Sequence, residues 1–192
     1  MAGMARRYFR VWGALTLCLG LVWAAPAQQE DRANDKPLQK SDKEGKRPQA
    51  KASVGKALKS LDTFNAVPNT KAKFYIYLFS AGWCPSCKAE MPDFVKLYPE
   101  MKKKKVEMIL IGADHTREAA IKYLESVKAE FPGVHYKSDG VRSLPGLTPP
   151  QAMPIPYAIL VDDKGRVLCD GSAGSVIRNW EKNIKAKPAK KS

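Results

Sequence analysis

A chain of 192 residues that is 44% hydrophobic has room for one folded domain with a core of ordinary size, plus appendages. Thirty-three Lys and Arg against 19 Asp and Glu give a formal charge of +14. No basic module interleaved with aromatics accompanies that charge, so nucleic acid is excluded as a partner. The four cysteines, Cys18, Cys84, Cys87 and Cys169, are too few and too unevenly spaced for a disulfide scaffold.

Much of the excess charge sits at the ends, in Arg6, Arg7 and Arg10 and in Lys182, Lys185, Lys187, Lys190 and Lys191. Solvated tails are the expected reading, with weak attraction to anionic surfaces as a side effect. Residues 1–27 read as a signal peptide: a basic start, an apolar stretch from Val11 to Trp23, and Ala25-Pro26-Ala27 as the cleavage site, leaving Gln28 as the mature start. That stretch falls short of the roughly 20 apolar residues that cross a bilayer, so an uncleaved anchor is the lesser alternative. Leu17 is too bulky for Cys18 to read as a lipoprotein site, and Arg6-Arg7-Tyr8-Phe9 matches a twin-arginine signal only in part. The expected location is therefore exported, periplasmic or otherwise extracytoplasmic.

Residues 28–52 are charged, hold Pro37 and Pro48, and offer little to bury, which predicts a disordered linker. The folded domain is expected over 53–186, followed by a basic tail at 187–192. Val54, Leu58, Leu61 and Phe64 predict a short helix or packed lead-in. Phe74 to Phe79 reads as a buried strand. Cys87, Met91, Phe94, Val95, Tyr98 and Met101 then recur at helical spacing, in a helix that Pro92 is expected to interrupt. Val106 to Ala113 predicts a second strand, and Asp114 or Thr116 a cap for a helix with Ala120, Leu124, Val127 and Phe131 on one face. Val134 to Tyr136 reads as a short strand. A proline-rich loop, Leu144 to Pro154, leads to a hairpin of Tyr157–Val161 and Arg166–Asp170 about the turn at Asp163-Lys164-Gly165. Val176, Ile177, Trp180 and Ile184 predict one closing helix. The order β-α-β-α-(β)-β-β-α is an α/β pattern with a mixed sheet.

Trp83-Cys84-Pro85-Ser86-Cys87 lies where the first strand hands over to its helix. Unpaired amides and the helix dipole stabilise negative charge on a thiol placed there. A second thiol one turn on can reach the first, the minimum machinery of thiol–disulfide exchange. The rival is half of a zinc site, but Cys169, His115 and His135 supply no second C-x-x-C to complete about four ligands, so no metal is expected. Cys169 reads as a small buried side chain, and neither histidine is given a catalytic role. Glu90 follows Cys87 by three residues, so its carboxylate can point back and exchange a proton with Cys87 as a disulfide opens.

The motif W-C-x-x-C, an Ile155-Pro156 before an apolar strand, and the following hairpin together resemble the thioredoxin fold. Cys87-Lys88-Ala89-Glu90-Met91-Pro92 further resembles the C-x-x-E-x-P of TlpA/ResA-type thiol–disulfide oxidoreductases of the bacterial envelope. The likeness covers most of residues 70–186. It implies a thioredoxin-like α/β fold in which Cys84 is the nucleophile and Cys87 the resolving thiol. Trp83, Pro85, Ile155 and a cis Pro156 would then form the substrate-binding surface, with Glu90 as a catalytic carboxylate. It also implies no cofactor beyond a redox-active Cys84–Cys87 disulfide, protein thiols and disulfides as partners, a membrane electron donor, and a monomer. Leu78 stands where ordinary thioredoxin has an acidic residue, and Pro85-Ser86 matches neither the Gly-Pro of thioredoxin nor the Pro-His of DsbA. Reduction of protein disulfides is the expected direction. An oxidant or isomerase of the same fold, or a binding module with a static disulfide, stays open. The P-x-x-x-T-x-x-C of peroxiredoxins is absent.

Overall fold

The structure, a computed structural model, describes residues 53–150 and 153–186. The stretches expected to be a signal peptide, a linker and a basic tail lie outside the described residues. Helix α1 (Val54–Leu58) precedes β1 (Phe74–Ser80), α2 (Pro85–Lys103), β2 (Val106–Gly112), α3 (Arg117–Ser126) and β3 (Gly133–His135). A 3-10 turn at Val141–Ser143 comes next, then β4 (Tyr157–Asp162), β5 (Val167–Ser172), α4 (Ala173–Arg178) and α5 (Trp180–Lys185). Among the described residues five strands form one sheet in the order β3-β2-β1-β4-β5. β1 runs parallel to β2, with Phe74 opposite Val106 and Ser80 opposite Gly112, and antiparallel to β4. β3 is parallel to β2, and β4 and β5 form an antiparallel hairpin.

This order decides which face the helices cover. The crossovers β1-α2-β2 and β2-α3-β3 both step outward in the same sense, and parallel crossovers are right-handed. Both helices therefore land on one face. Strand residues with the matching parity, Ile76, Leu78, Met108, Leu110, Ala158 and Leu160, pack there with Met91, Phe94, Leu124, Ile177 and Trp180. The opposite parity, Tyr75, Tyr77, Ile109, Ile111, Ile159 and Val161, meets α1 through Val54 and Leu58, and the loop after β3 through Val141 and Leu144. β1 and β2 are covered on both sides, which is why they read as unbroken apolar runs rather than alternating ones.

Three expectations change. Pro92 does not interrupt α2, which continues through both Pro92 and Pro99 to Lys103. Both prolines lie on the exposed face, where water can take up the carbonyls they leave unbonded, while Met91, Phe94 and Tyr98 anchor the buried face. The closing helix is two, broken at Asn179, whose backbone (φ −106°, ψ 17°) leaves the helical region. Cys169 is only partly buried, on the outer strand of the hairpin.

Candidate functional site

Parallel strands β1 and β2 end together at Ser80 and Gly112, and the loops leaving that edge carry the cysteines. Cys84 is the N-cap of α2, with extended backbone (φ −86°, ψ 118°), and its sulfur accepts the Cys87 N–H at 3.3 Å. Pro85 occupies the first helical position, where a missing N–H costs nothing. One turn later Cys87 is wholly inside, 0% exposed, whereas Cys84 keeps 5% at the surface. Both are free thiols. Burial pushes the Cys87 thiol up to about 11, with the neighbouring Cys84 adding to the rise; the Ser80 hydroxyl and the Ala81 backbone pull the other way.

The cap over Cys84 comes from across the sheet. Its thiol donates to the Ile155 carbonyl at 3.6 Å, and the Ile155–Pro156 peptide is cis. Pro156 in turn accepts the Ala173 N–H at 3.2 Å, which ties this loop to the start of α4. Trp83 stands beside the thiols, half exposed; its indole N–H donates to the Ala113 carbonyl at 3.2 Å and its ring stacks on His115. The structure therefore gathers Trp83, Cys84, Pro85, Cys87, Ile155 and Pro156 at one edge.

Glu90 lies one turn beyond Cys87 but its carboxylate meets α4. Its Oε2 is 3.8 Å from Arg178 Nη2, in space that a side chain on Gly174 would fill, and is buried without a hydrogen-bond partner. The Arg178 guanidinium also reaches Asp93 at 3.3 Å.

Two residues beside the thiols, Ser80 and Tyr123, escaped the sequence reading, and Asp114 takes a place other than the cap considered for it. Ser80 closes β1 and is 1% exposed; its Oγ lies 3.2 Å from the Tyr123 hydroxyl of α3. Asp114 does not cap α3, a task that Thr116 performs by accepting from the Ala119 N–H. Instead its Oδ1 accepts the Gly82 N–H at 2.9 Å, while burial raises its pKa and leaves Oδ2 without a partner. The Asp114 carbonyl lies 3.0 Å from Nε2 of the buried His135. Signals for two of these existed: Ser80 is a hydroxyl ending an apolar run, and Tyr123 follows Ala120 by three on the buried face of α3. Among the described residues no group of three or more His, Cys, Asp or Glu converges to hold a metal ion.

The chain resembles known proteins over this region. It is 32% identical over 98 residues to the thiol-disulfide oxidoreductase ResA of Bacillus thuringiensis subsp. konkukian, covering 51% of this chain and 54% of that one. Over 81 residues it is 37% identical to the ResA of Oceanobacillus iheyensis, 42% of this chain and 41% of that one. The chain thus spans about half the length of the curated relatives it matches. A crystal structure of the thioredoxin domain of a thiol-disulfide oxidoreductase from Bacteroides vulgatus matches with a TM-score of 0.49 at 24% identity, covering 59% of this chain and 80% of that one. A family model described as thioredoxin-like matches residues 72–167, half of the chain, taking in β1, the cysteine pair, the cis-proline and the β4–β5 turn. With that match over the same strands and loops that build the site, the chain belongs to the thioredoxin-like family.

Proposed function

We propose that this chain is an exported thiol–disulfide oxidoreductase that reduces protein disulfides. The observation that carries this reading is the pair of free thiols at the head of α2, both buried, with Cys84 5% exposed and Cys87 wholly enclosed one turn beneath it. In the proposed cycle the Cys84 thiolate attacks a substrate disulfide, forms a mixed disulfide and expels one substrate thiolate. Cys87 then attacks Cys84 Sγ, closes the Cys84–Cys87 bond and releases the second substrate thiolate. Two electrons pass to the substrate, and the two cysteine protons go to the departing thiolates. Because Cys87 is buried and holds its proton, Cys84 is the sulfur that meets substrate first.

Trp83 and Pro85 on one side and the Ile155–Pro156 backbone on the other form the substrate surface. The Ile155 carbonyl, already within reach of Cys84, supports pairing with an extended substrate segment. Glu90 is proposed to exchange a proton with Cys87, a role its buried, unpartnered Oε2 supports and its ion pair with Arg178 opposes. The basic, apolar leader supports export, and a membrane partner is proposed as the electron source.

The test is the reduction potential of the Cys84–Cys87 couple in dithiothreitol or glutathione buffers. A value near that of thioredoxin, about −270 mV, is expected of a reductase. A value near that of DsbA, about −120 mV, would reverse the direction, and the absence of a reversible couple would leave a static binding module.

A further inference from the structure

The loops that leave β1 and β2 are joined past the ends of their strands. The Ala113 N–H donates to the Ser80 carbonyl at 2.9 Å, and the Trp83 indole N–H donates back to the Ala113 carbonyl at 3.2 Å. Between these two links the Gly82 N–H donates at 2.9 Å to Oδ1 of Asp114. That link differs in kind, because a carboxylate accepts a shorter and stronger hydrogen bond than a neutral carbonyl does.

Asp114 sits there against its own solvation. It is 3% exposed, and its Oδ2 is buried without a partner. Burying an acid with one oxygen bare costs free energy that a surface position would not. The titratable groups facing it are His135 from β3, His115 next to it and Tyr123 from α3. His135 places Nε2 3.0 Å from the Asp114 carbonyl, so the backbone is held from behind while Oδ1 is left to Gly82. Gly82 itself lies in a slot: a Cβ there would come within 3.1 Å of the Tyr123 Cβ and 3.4 Å of Asp114 Oδ1. The bond holds the turn that carries Cys84. Gly82 precedes Cys84 by two residues, and the Cys84 N–H closes the turn on the Ala81 carbonyl at 3.2 Å. Cys84 then caps α2 and accepts the Cys87 N–H on its sulfur at 3.3 Å.

We propose that Asp114 is a positioning residue for the Cys84–Cys87 couple, locking the turn that presents Cys84 through its bond to the Gly82 N–H. The role needs no contact with either sulfur. A fixed turn keeps the two thiols at close quarters, and holding two reacting groups in place raises their effective concentration. With the turn loose, the chain must be ordered each time the disulfide forms, so closure becomes less favourable. This inference rests on the proposed oxidoreductase cycle.

The test equilibrates the full chain with glutathione buffers. There the protein dithiol gives two electrons and two protons to oxidised glutathione, leaving the Cys84–Cys87 disulfide and two glutathione thiols. The disulfide fraction is read by mass spectrometry on the tryptic peptide 74–88, which holds both cysteines and neither Cys18 nor Cys169. Asp114→Ala is expected to lower the equilibrium constant about three- to tenfold, which raises the potential by about 14 to 30 mV. Asp114→Ser, whose hydroxyl stops one bond short of Gly82, should show the same fall and stands in if the alanine variant does not fold. Asp114→Asn keeps an oxygen for the Gly82 N–H and should stay within about twofold of the unaltered chain. An unchanged constant in a folded alanine or serine variant would overturn the proposal. So would an equal fall in the asparagine variant, which would trace the effect to the lost charge and not to the acceptor. Absence of a reversible couple in the unaltered chain would instead sink the oxidoreductase cycle itself, which keeps the two failures apart.

Discussion

Two sulfurs one helical turn apart occupy different environments here because one is a cap and the other a core residue. Cys84 takes a backbone N–H onto its sulfur and a carbonyl onto its proton, and it still touches solvent. Cys87 sits among side chains, where burial holds its proton on. A second buried acid, Glu107 in β2, lies near the strand's other end, away from the thiols. Its Oε1 accepts from the Tyr98 hydroxyl at 2.6 Å and its Oε2 from the Asn69 N–H at 2.8 Å, yet desolvation outweighs both bonds and raises its pKa. An acid raised on folding binds its proton more tightly in the native state. Its contribution to stability is therefore complete below the unfolded carboxylate value, about 4.3, and is lost as pH rises through the raised native value. Glu107→Gln keeps an acceptor for Asn69 and a polar partner for Tyr98 without the charge. Urea unfolding of this variant is expected to show a smaller loss of stability between pH 4.5 and 7 than the parent protein, and equal slopes would show that Glu107 does not contribute.

Among the elements, the strands and the long helix were legible because their patterns are strong: unbroken apolar runs for β1 and β2, and helical spacing from Cys87 to Met101 for α2. What failed to show was set by tertiary contact. Whether Pro92 breaks a helix depends on which face it occupies, and the break at Asn179 depends on how α4 and α5 turn against the sheet. The pairing of Ser80 with Tyr123 joins residues 43 apart in sequence, and no local pattern encodes it. The cysteine pair was legible for the opposite reason, since the helix cap and both thiols lie within four residues. Close approach of α1 to the chain is likewise invisible in sequence. A Cβ on Gly55 would stand 1.9 Å from the Thr70 carbonyl oxygen, a backbone atom that cannot swing away. Gly55→Ala is expected to undock α1 from the face formed by Tyr75 and Tyr77, costing about 1–3 kcal/mol in chemical unfolding. An unchanged midpoint would mean that the Thr70 loop moves freely.

Over the whole molecule, redox state and stability are linked through Cys87. Its native value of about 11 lies above the ordinary thiol value of about 8.5, so the dithiol protein carries a stabilising contribution that is intact below pH 8.5 and lost as pH climbs through 11. The disulfide form has no proton there to lose. Thermal unfolding of the two forms is therefore expected to diverge across this alkaline window, the reduced form falling faster, and parallel curves would contradict the burial effect. Among the described residues no helix is long and apolar enough to cross a membrane.

The sheet order has a further consequence for how the molecule comes into being. β1 lies between β2, which follows at once, and β4, whose Asp162 pairs with Phe74 from 88 positions downstream. The residue that covers Cys84, Ile155, comes 71 positions after it. During vectorial synthesis the cysteines, α2 and β2 all emerge before the cover over Cys84 has been made. A nascent chain halted short of Ile155 would present an uncovered dithiol on a sheet whose β1 edge is still unpaired, so the segment from Ile155 onward serves the earlier cysteine pair as its seal.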